Sequence, residues 1–323
     1  MIHSFVLSEG KLAGRDLELE ALRLVRADKG LVLWIDLDCP SDEEARRILE
    51  GVFQFHPVAI EDCLTPSSLP KIEDYDDYLF MVVHGVDFTR QDKFNTTELD
   101  LFLGKDYLVT FHRTPLKSVQ IILDRLAKST GVVARGPDRL THTVLDLLVD
   151  NYQPAMDELR GELEEIEEAV LAKESSKEFI GEILKVRTDF SRLRQIVRPQ
   201  RDVIDRLARG ESKMIRAVML PYFRNLRENL ARLEETAGNY HERLMMAFDI
   251  YLNKAAFEAN EGIKFLTAVT AVTLPAVLIG GWYGMNFQDI PELKWSHGYL
   301  FAFSLMLVTT LLMTIYLRRK KWF

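Results

Sequence analysis

The sequence predicts a mainly α-helical chain: a mixed α/β N-terminal part, one very long helix, and a C-terminal hairpin of two transmembrane helices. Three observations carry this reading. Residues 265–283 and 299–317 contain no Asp, Glu, Lys or Arg. Residues 222–274 contain no proline, and their only glycines are Gly238 and Gly262. Apolar, β-rich runs recur within residues 1–115 and give way to helical periodicity beyond them.

The elements follow in chain order. Leu31-Val32-Leu33-Trp34-Ile35-Asp36-Leu37 reads as a strand. Ser41 and Glu44 have the spacing of a capping box, so a helix is expected from there to about Phe55. Pro57 is placed to open a short helix through Leu64. Tyr78–Phe88 reads as a second strand, and Glu98–Leu103 with Tyr107–His112 as a hairpin around Gly104-Lys105-Asp106. Residues 141–172 carry apolar positions at helical spacing beside Asp157, Glu158, Glu162, Glu164, Glu165, Glu167 and Glu168. That acidic face is either a solvated helix surface or a cation-attracting one. Residues 176–207 form a second long helical stretch with Arg187, Arg192, Arg194, Arg198 and Arg201, which Pro199 should kink or interrupt. The acidic and basic stretches are expected to pair antiparallel. Pro221 then opens a helix of about sixty residues, roughly 90 Å long at 1.5 Å per residue. The expected division is residues 1–220 as the α/β part with its long helices, 221–264 as the stalk helix and 265–323 as the membrane part.

Bulk properties narrow the function classes. The net charge of −8 offers no footprint for nucleic acid. It suits cations, although many soluble domains are as acidic. Cys39 and Cys63 lie in no C-x-x-C or Cys/His spacing, so they are expected to be reduced and structural, with no zinc site and no disulfide. The seven histidines are scattered, and each is expected at the surface. The opening MIHSFVLSEGKL has no basic n-region and too short an apolar run for a signal peptide, which places the N-terminal part in the cytoplasm. No P-loop, G-x-S-x-G or His-rich metal spacing is present, so an enzyme is not expected, a membrane-anchored enzyme or signalling domain stays the remote alternative, and no cofactor is called for.

Each charge-free stretch has 19 residues, the length needed to cross a hydrocarbon core. Trp282, Tyr283, Trp295, Tyr299, Tyr316 and Trp322 stand at the span ends, as an interfacial aromatic belt requires. Arg318-Arg319-Lys320-Lys321 ends the chain, and Lys254 and Lys264 precede the first span. The connecting loop, 284–298, has Asp289 and Glu292 against Lys294 alone. The basic flanks therefore orient both termini to the cytoplasm of a multi-pass protein in the cell membrane.

Two helices cannot enclose a pore, so conduction requires several copies. Stepping back from Gly281 by alternating four and three residues gives Val277, Leu274, Thr270, Thr267, Ile263, Asn260, Ala256, Asn253 and Asp249. This is the register of parallel helices in a left-handed supercoil. Its membrane positions are small, hydroxylated or apolar, and its far end is polar. Several copies of Asp249 would repel in a dry core and suit a wet axis that admits cations. After the first span comes Gly284-Met285-Asn286. Asn286 supplies a neutral amide oxygen, and glycine frees a carbonyl for close approach. A ring of such groups holds hydrated Mg²⁺ without trapping it, because Mg²⁺ sheds water reluctantly. The same tripeptide also fits an ordinary helix C-cap and turn.

The wider pattern resembles the CorA family of divalent-metal transporters. It consists of Tyr283-Gly284-Met285-Asn286-Phe287, Ile290-Pro291-Glu292-Leu293, Trp295, Gly298-Tyr299 and Lys320-Lys321-Trp322-Phe323. Trp34-Ile35-Asp36-Leu37, His56-Pro57 to Glu61-Asp62, Pro70-Lys71-Ile72-Glu73 and Pro221-Tyr222-Phe223-Arg224 extend the resemblance over the whole chain. The resemblance implies a funnel-shaped homopentamer in the lipid bilayer, with the stalk helix lining the axis. It implies that Gly284, Met285 and Asn286 form the external filter. Asp249 matches an acidic ring at the cytoplasmic mouth, and Asn260, Ile263, Leu274 and Gly281 match pore-lining positions. Mg²⁺ and Co²⁺ are the implied substrates, with Ni²⁺ and Zn²⁺ open. Asn225 departs from the pattern: magnesium-gated members carry Asp there, so gating by intracellular Mg²⁺ does not follow. Asp87, Asp92 and Glu228 are the candidates to replace that regulatory carboxylate. Zinc transporters of the ZntB type, coupled to protons, are the alternative. They commonly carry Val where this chain has Met285, and no carboxylate or histidine within the spans offers a proton relay.

Overall fold

The computed structural model describes the chain except for residues 10, 29, 67–68, 88–94, 129–134, 173–176, 287–290, 321 and 323. Its described residues form two compact units, Met1–Ala247 and Phe248–Phe323.

The first unit is built on a seven-stranded sheet of β1 (Ile2–Ser8), β2 (Lys11–Arg15), β3 (Leu31–Asp38), β4 (Lys71–Asp74), β5 (Tyr78–Asp87), β6 (Asn95–Gly104) and β7 (Tyr107–His112). The order across the sheet is β2-β1-β3-β7-β6-β5-β4. All neighbours pair antiparallel except β3 and β7, which run parallel in the register Trp34↔Leu108, Asp36↔Thr110 and Asp38↔His112. Helices cover both faces, which is why the central strands read as continuous apolar runs instead of alternating ones. Leu33, Ile35, Leu37, Phe80, Val82, Phe102, Val109 and Phe111 join one core with residues of α1 (Leu19–Ala27), α2 (Asp42–Leu49) and α3 (Pro57–Leu64). The alternate residues, Trp34, Met81, Val83 and Leu108, are buried on the other face, where α5 (Pro137–Asp150) packs across β3, β5, β6 and β7. Gly85 makes room there: a Cβ would lie 3.3 Å from a Leu116 methyl and 3.5 Å from Leu148.

The capping box of α2 is present, with Glu44 N–H donating to Ser41 Oγ and Ser41 N–H donating to Glu44. The helix stops at Leu49, short of the expected Phe55. At Gly51 the chain turns so tightly that a Cβ would sit 2.4 Å from the Arg47 carbonyl oxygen. The turn sends Phe53 and Phe55 into the core, where Phe55 stacks on Phe102 at 4.2 Å.

α4 (Lys117–Lys128), α5 and α6 (Tyr152–Ala172) follow the sheet, and α7 (Lys177–Arg209) runs through Pro199 without interruption. Gln200, next to that proline, is fully buried and accepts a bond from His84 N–H at 2.8 Å. α6 and α7 pack together, and Lys185 meets Glu162 at 3.2 Å. α8 (Leu220–Tyr283) begins within this unit, where its residues add Arg243–Glu167 and Arg201–Glu234 pairs at 2.6 Å each. Glu162 and Glu167 are therefore spent on ion pairs, while Asp157, Glu158, Glu164, Glu165 and Glu168 remain exposed.

One buried carboxyl sets a pH prediction. Asp100 is wholly buried, and burial, followed by the neighbouring Glu98 carboxylate, holds it well above the usual carboxylate range. A raised folded-state value means stability that is fully present below the unfolded value, near 3.9, and is lost as pH rises through the folded one. Asp100→Asn is expected to flatten this decline, so that the variant gains on the wild type as pH rises. Thermal unfolding measured across the pH range checks it; parallel curves would contradict it.

The second unit holds the remainder of α8, a short 3₁₀ turn at Pro291–Lys294 and α9 (Gly298–Arg319). α8 contains Pro275 within its span. Only 6% of the most apolar window of each helix is buried. Apolar surface left bare on this scale fits a lipid solvent or further copies of the chain.

Candidate functional site

The second unit displays Gly284-Met285-Asn286, the candidate filter tripeptide, at the C-terminal end of α8. Gly284 N–H donates to the Gly280 carbonyl at 2.9 Å, and Met285 N–H to the Trp282 carbonyl at 3.4 Å, closing the last turn. A Cβ at Gly284 would stand 2.9 Å from the Gly280 oxygen, a contact with backbone that no side-chain rotation relieves. Glycine is required there by space, not by backbone angle. Met285 and Asn286 are exposed just beyond the helix end. Phe287, Asp289 and Ile290 lie outside the described residues. The returning loop closes on Gly298, where a Cβ would lie 2.1 Å from the Glu292 carbonyl oxygen. Beside the loop, Ile279, Gly280, Tyr283, Trp295, Tyr299 and Phe303 line a cavity of about 560 Å³.

All ten register positions, Asp249, Asn253, Ala256, Asn260, Ile263, Thr267, Thr270, Leu274, Val277 and Gly281, are exposed on α8. Their face is distinct near the helix end. Residues 271, 272, 275, 276, 279 and 283 are half-buried, and Leu274, Val277 and Gly281 fall on the opposite, open side. The hydroxyls of Thr267 and Thr270 donate to the carbonyls of Ile263 and Leu266 at 2.8 and 2.9 Å. Each is thus satisfied within the helix and keeps lone pairs free for water. Asp249 and Asn286 occupy opposite ends of this segment.

Of the candidate regulatory carboxylates, Glu228 alone has a described side chain. Asp92 lies outside the described residues, and Asp87 ends β5 with a side chain that is likewise not among those described. Glu228 is exposed on α8, 3.9 Å from Arg227, and Asn225 is exposed one turn before it.

One expectation for the first unit fails. His84 and His112 are buried, at 4% and 2% exposure, rather than at the surface. Cys39 does have a histidine partner in space: donor atoms of Asp38, Cys39 and His112 lie within 4.8 Å of one another. Linear spacing hides this because the parallel register of β3 and β7 brings residues 38 and 112 side by side.

Comparisons with known proteins fit this arrangement. The chain is 31% identical over 290 residues to "Putative metal ion transporter YfjQ" of Bacillus subtilis, covering 90% of this chain and 89% of that one. It is 26% identical over 297 residues to the cobalt/magnesium transport protein CorA of Thermotoga maritima, covering 91% and 84%. Its fold matches the complete structure of the CorA magnesium transporter from Methanocaldococcus jannaschii with a TM-score of 0.82, at 23% identity over 99% of this chain and 98% of that one. The family of CorA-like Mg²⁺ transporter proteins matches residues 29–319. With that match over most of its length, the chain belongs to the CorA-like Mg²⁺ transporter protein family, whose members are membrane transporters and not enzymes.

Proposed function

We propose that five copies of this chain form a passive channel for hydrated divalent cations, Mg²⁺ foremost and Co²⁺ with it. The single observation that carries the reading is the uncovered α8 face bearing Leu274, Val277 and Gly281, in register with Asp249, Asn253 and Asn260. Turned inward in each copy, that face lines an axis from an acidic mouth at Asp249 to a ring of Asn286 amides. Asn286 and the Gly284 carbonyl take the entering ion by hydrogen bonds to its water shell. Neutral acceptors bind loosely enough for the ion to leave, as conduction requires. Both termini face the cytoplasm, and the 284–298 loop faces outward. An inside-negative potential then supplies about 4.6 kcal/mol per 100 mV for a dication.

Hexaamminecobalt(III), which mimics hydrated Mg²⁺ and cannot shed its ligands, is expected to block Mg²⁺ flux into proteoliposomes from the loop side. Flux that is insensitive to it would contradict outer-shell capture. Asp249→Asn removes the acidic mouth and is expected to lower single-channel flux most at low ionic strength, where screening is weakest. A salt-independent effect would argue against Asp249 facing the ion path.

A further inference from the structure

The first unit holds a cluster that transport does not use. Trp34 Nε1–H donates to Thr110 Oγ1 at 3.0 Å, and Thr110 Oγ1–H donates to Asp36 Oδ1 at 2.6 Å. His112 Nε2 faces the same Asp36 oxygen at 3.4 Å. This row of buried groups lies across the parallel strands β3 and β7 and backs the imidazole, whose Nε2 makes no hydrogen bond. In front, His112 Nδ1 is 2.8 Å from the Thr114 carbonyl and 3.6 Å from Asp38 Oδ1. Cys39 Sγ is 3.1 Å from that same Asp38 oxygen. The Cys39 backbone is held at φ 47° by its N–H bond to the His112 carbonyl at 2.9 Å.

Two features of this cluster are unbalanced. Both ring nitrogens of His112 face acceptors, and a neutral imidazole carries only one proton. Two carboxylates converge on the ring, and the buried Asp36 leaves its Oδ2 without a hydrogen-bond partner. Among the described residues, no lysine or arginine pairs with Asp36 or Asp38. The α-amino group of Met1 donates to the Asp38 main-chain carbonyl. A dication in front of Nδ1 takes the place of the proton that Nδ1 donates to the Thr114 carbonyl, leaves the ring proton on Nε2 facing Asp36, and neutralises the carboxylates. A carboxylate behind a ligating histidine is the usual way of orienting such a ring.

We propose that Asp38 Oδ1, Cys39 Sγ and His112 Nδ1 form a binding site for a thiophilic divalent cation, Zn²⁺ or Co²⁺, at the C-terminal ends of β3 and β7. A sulfur, nitrogen and oxygen set selects these ions over Mg²⁺, which demands an octahedron of oxygens. Tetrahedral zinc with ligands at about 2.0–2.3 Å brings donors to roughly 3.3–3.8 Å apart. The observed separations of 3.1 and 3.6 Å already approach that geometry. Cys39 is exposed and Asp38 half-exposed, so the ion enters from solvent, and water completes the shell. Binding replaces the Cys39 S–H bond with a sulfur–metal bond and releases the proton to solvent. The site is independent of the pore.

The test uses the full-length protein in detergent, stripped with chelator and titrated with Co²⁺. A thiolate-to-cobalt charge-transfer band in the near ultraviolet should appear at one equivalent per chain. It should survive a large excess of Mg²⁺, vanish on adding Zn²⁺, and be absent from Cys39→Ser. In parallel, Zn²⁺ should slow alkylation of Cys39, the exposed thiol, by at least about tenfold, because the free thiolate is the reacting species. No band, a band retained in Cys39→Ser, or alkylation unaffected by Zn²⁺ would each overturn the site.

Discussion

Asn286→Ala is expected to reduce divalent-cation flux through reconstituted protein by roughly two or more orders of magnitude, while chain assembly and thermal unfolding stay unchanged. The residue is exposed beyond the end of α8, so its amide contributes nothing to packing within the chain. Each copy loses one acceptor for the ion's water shell. At about 1 kcal/mol per lost hydrogen bond, a ring of copies forfeits several kcal/mol of capture. Gly284→Ala should match it by another route. Its Cβ meets the Gly280 oxygen at 2.9 Å, so the last helical turn must open and carry Asn286 out of the ring. Asn286→Asp separates charge from geometry. A carboxylate ring holds the cation more tightly, so apparent affinity rises while maximal flux falls. Full flux in the Asn286→Ala variant would remove the filter assignment outright.

Arg216→Ala is expected to cost about 2–3 kcal/mol, because removing one partner strands a buried charge. Asp138, at 2% side-chain exposure, opens α5 and receives Arg216 through Nε at 2.8 Å and Nη2 at 2.5 Å. It also accepts the main-chain N–H groups of Arg139 at 2.8 Å and Arg216 at 3.1 Å. Gly136 leaves the space for this fork, since a Cβ there would sit 2.3 Å from the Arg216 guanidinium. The pair ties the segment before α8 to the helix that covers the sheet. In a unit of this size the loss lowers Tm by roughly 4–12 °C. Arg216→Lys keeps the charge but not the fork and should fall between. A Tm within a degree of wild type for Arg216→Ala would show that solvent replaces the guanidinium without cost.

Much of this was legible because it was local. The capping box of α2, the proline that opens α3, the hairpin of β6 and β7 and the two apolar spans each rest on residues within a few positions of one another. The missed elements lack such marks. β2 and β4 are polar edge strands, KLAGR and KIED, which sheets use to discourage further pairing. α1 begins at Leu19, and Glu18 before it makes no side-chain cap. The sequence predicts too long an α2 because Gly51 acts through a contact with Arg47 rather than through a recognisable turn pair. Gly284-Met285-Asn286 is a continuous motif in the sequence, and the α8 register is a repeat in it. The Asp38, Cys39 and His112 cluster was not, since only the parallel pairing of β3 with β7 creates it.

The central claim is that the protein passes hydrated dications down their electrochemical gradient. The direct measurement is Mg²⁺ uptake into proteoliposomes under an inside-negative potential with no pH gradient. Uptake should grow with the potential, be unchanged by an imposed pH gradient, and be abolished in Asn286→Ala. Uptake that requires a pH gradient, or that occurs for Zn²⁺ and not for Mg²⁺, would contradict it and favour a proton-coupled zinc transporter.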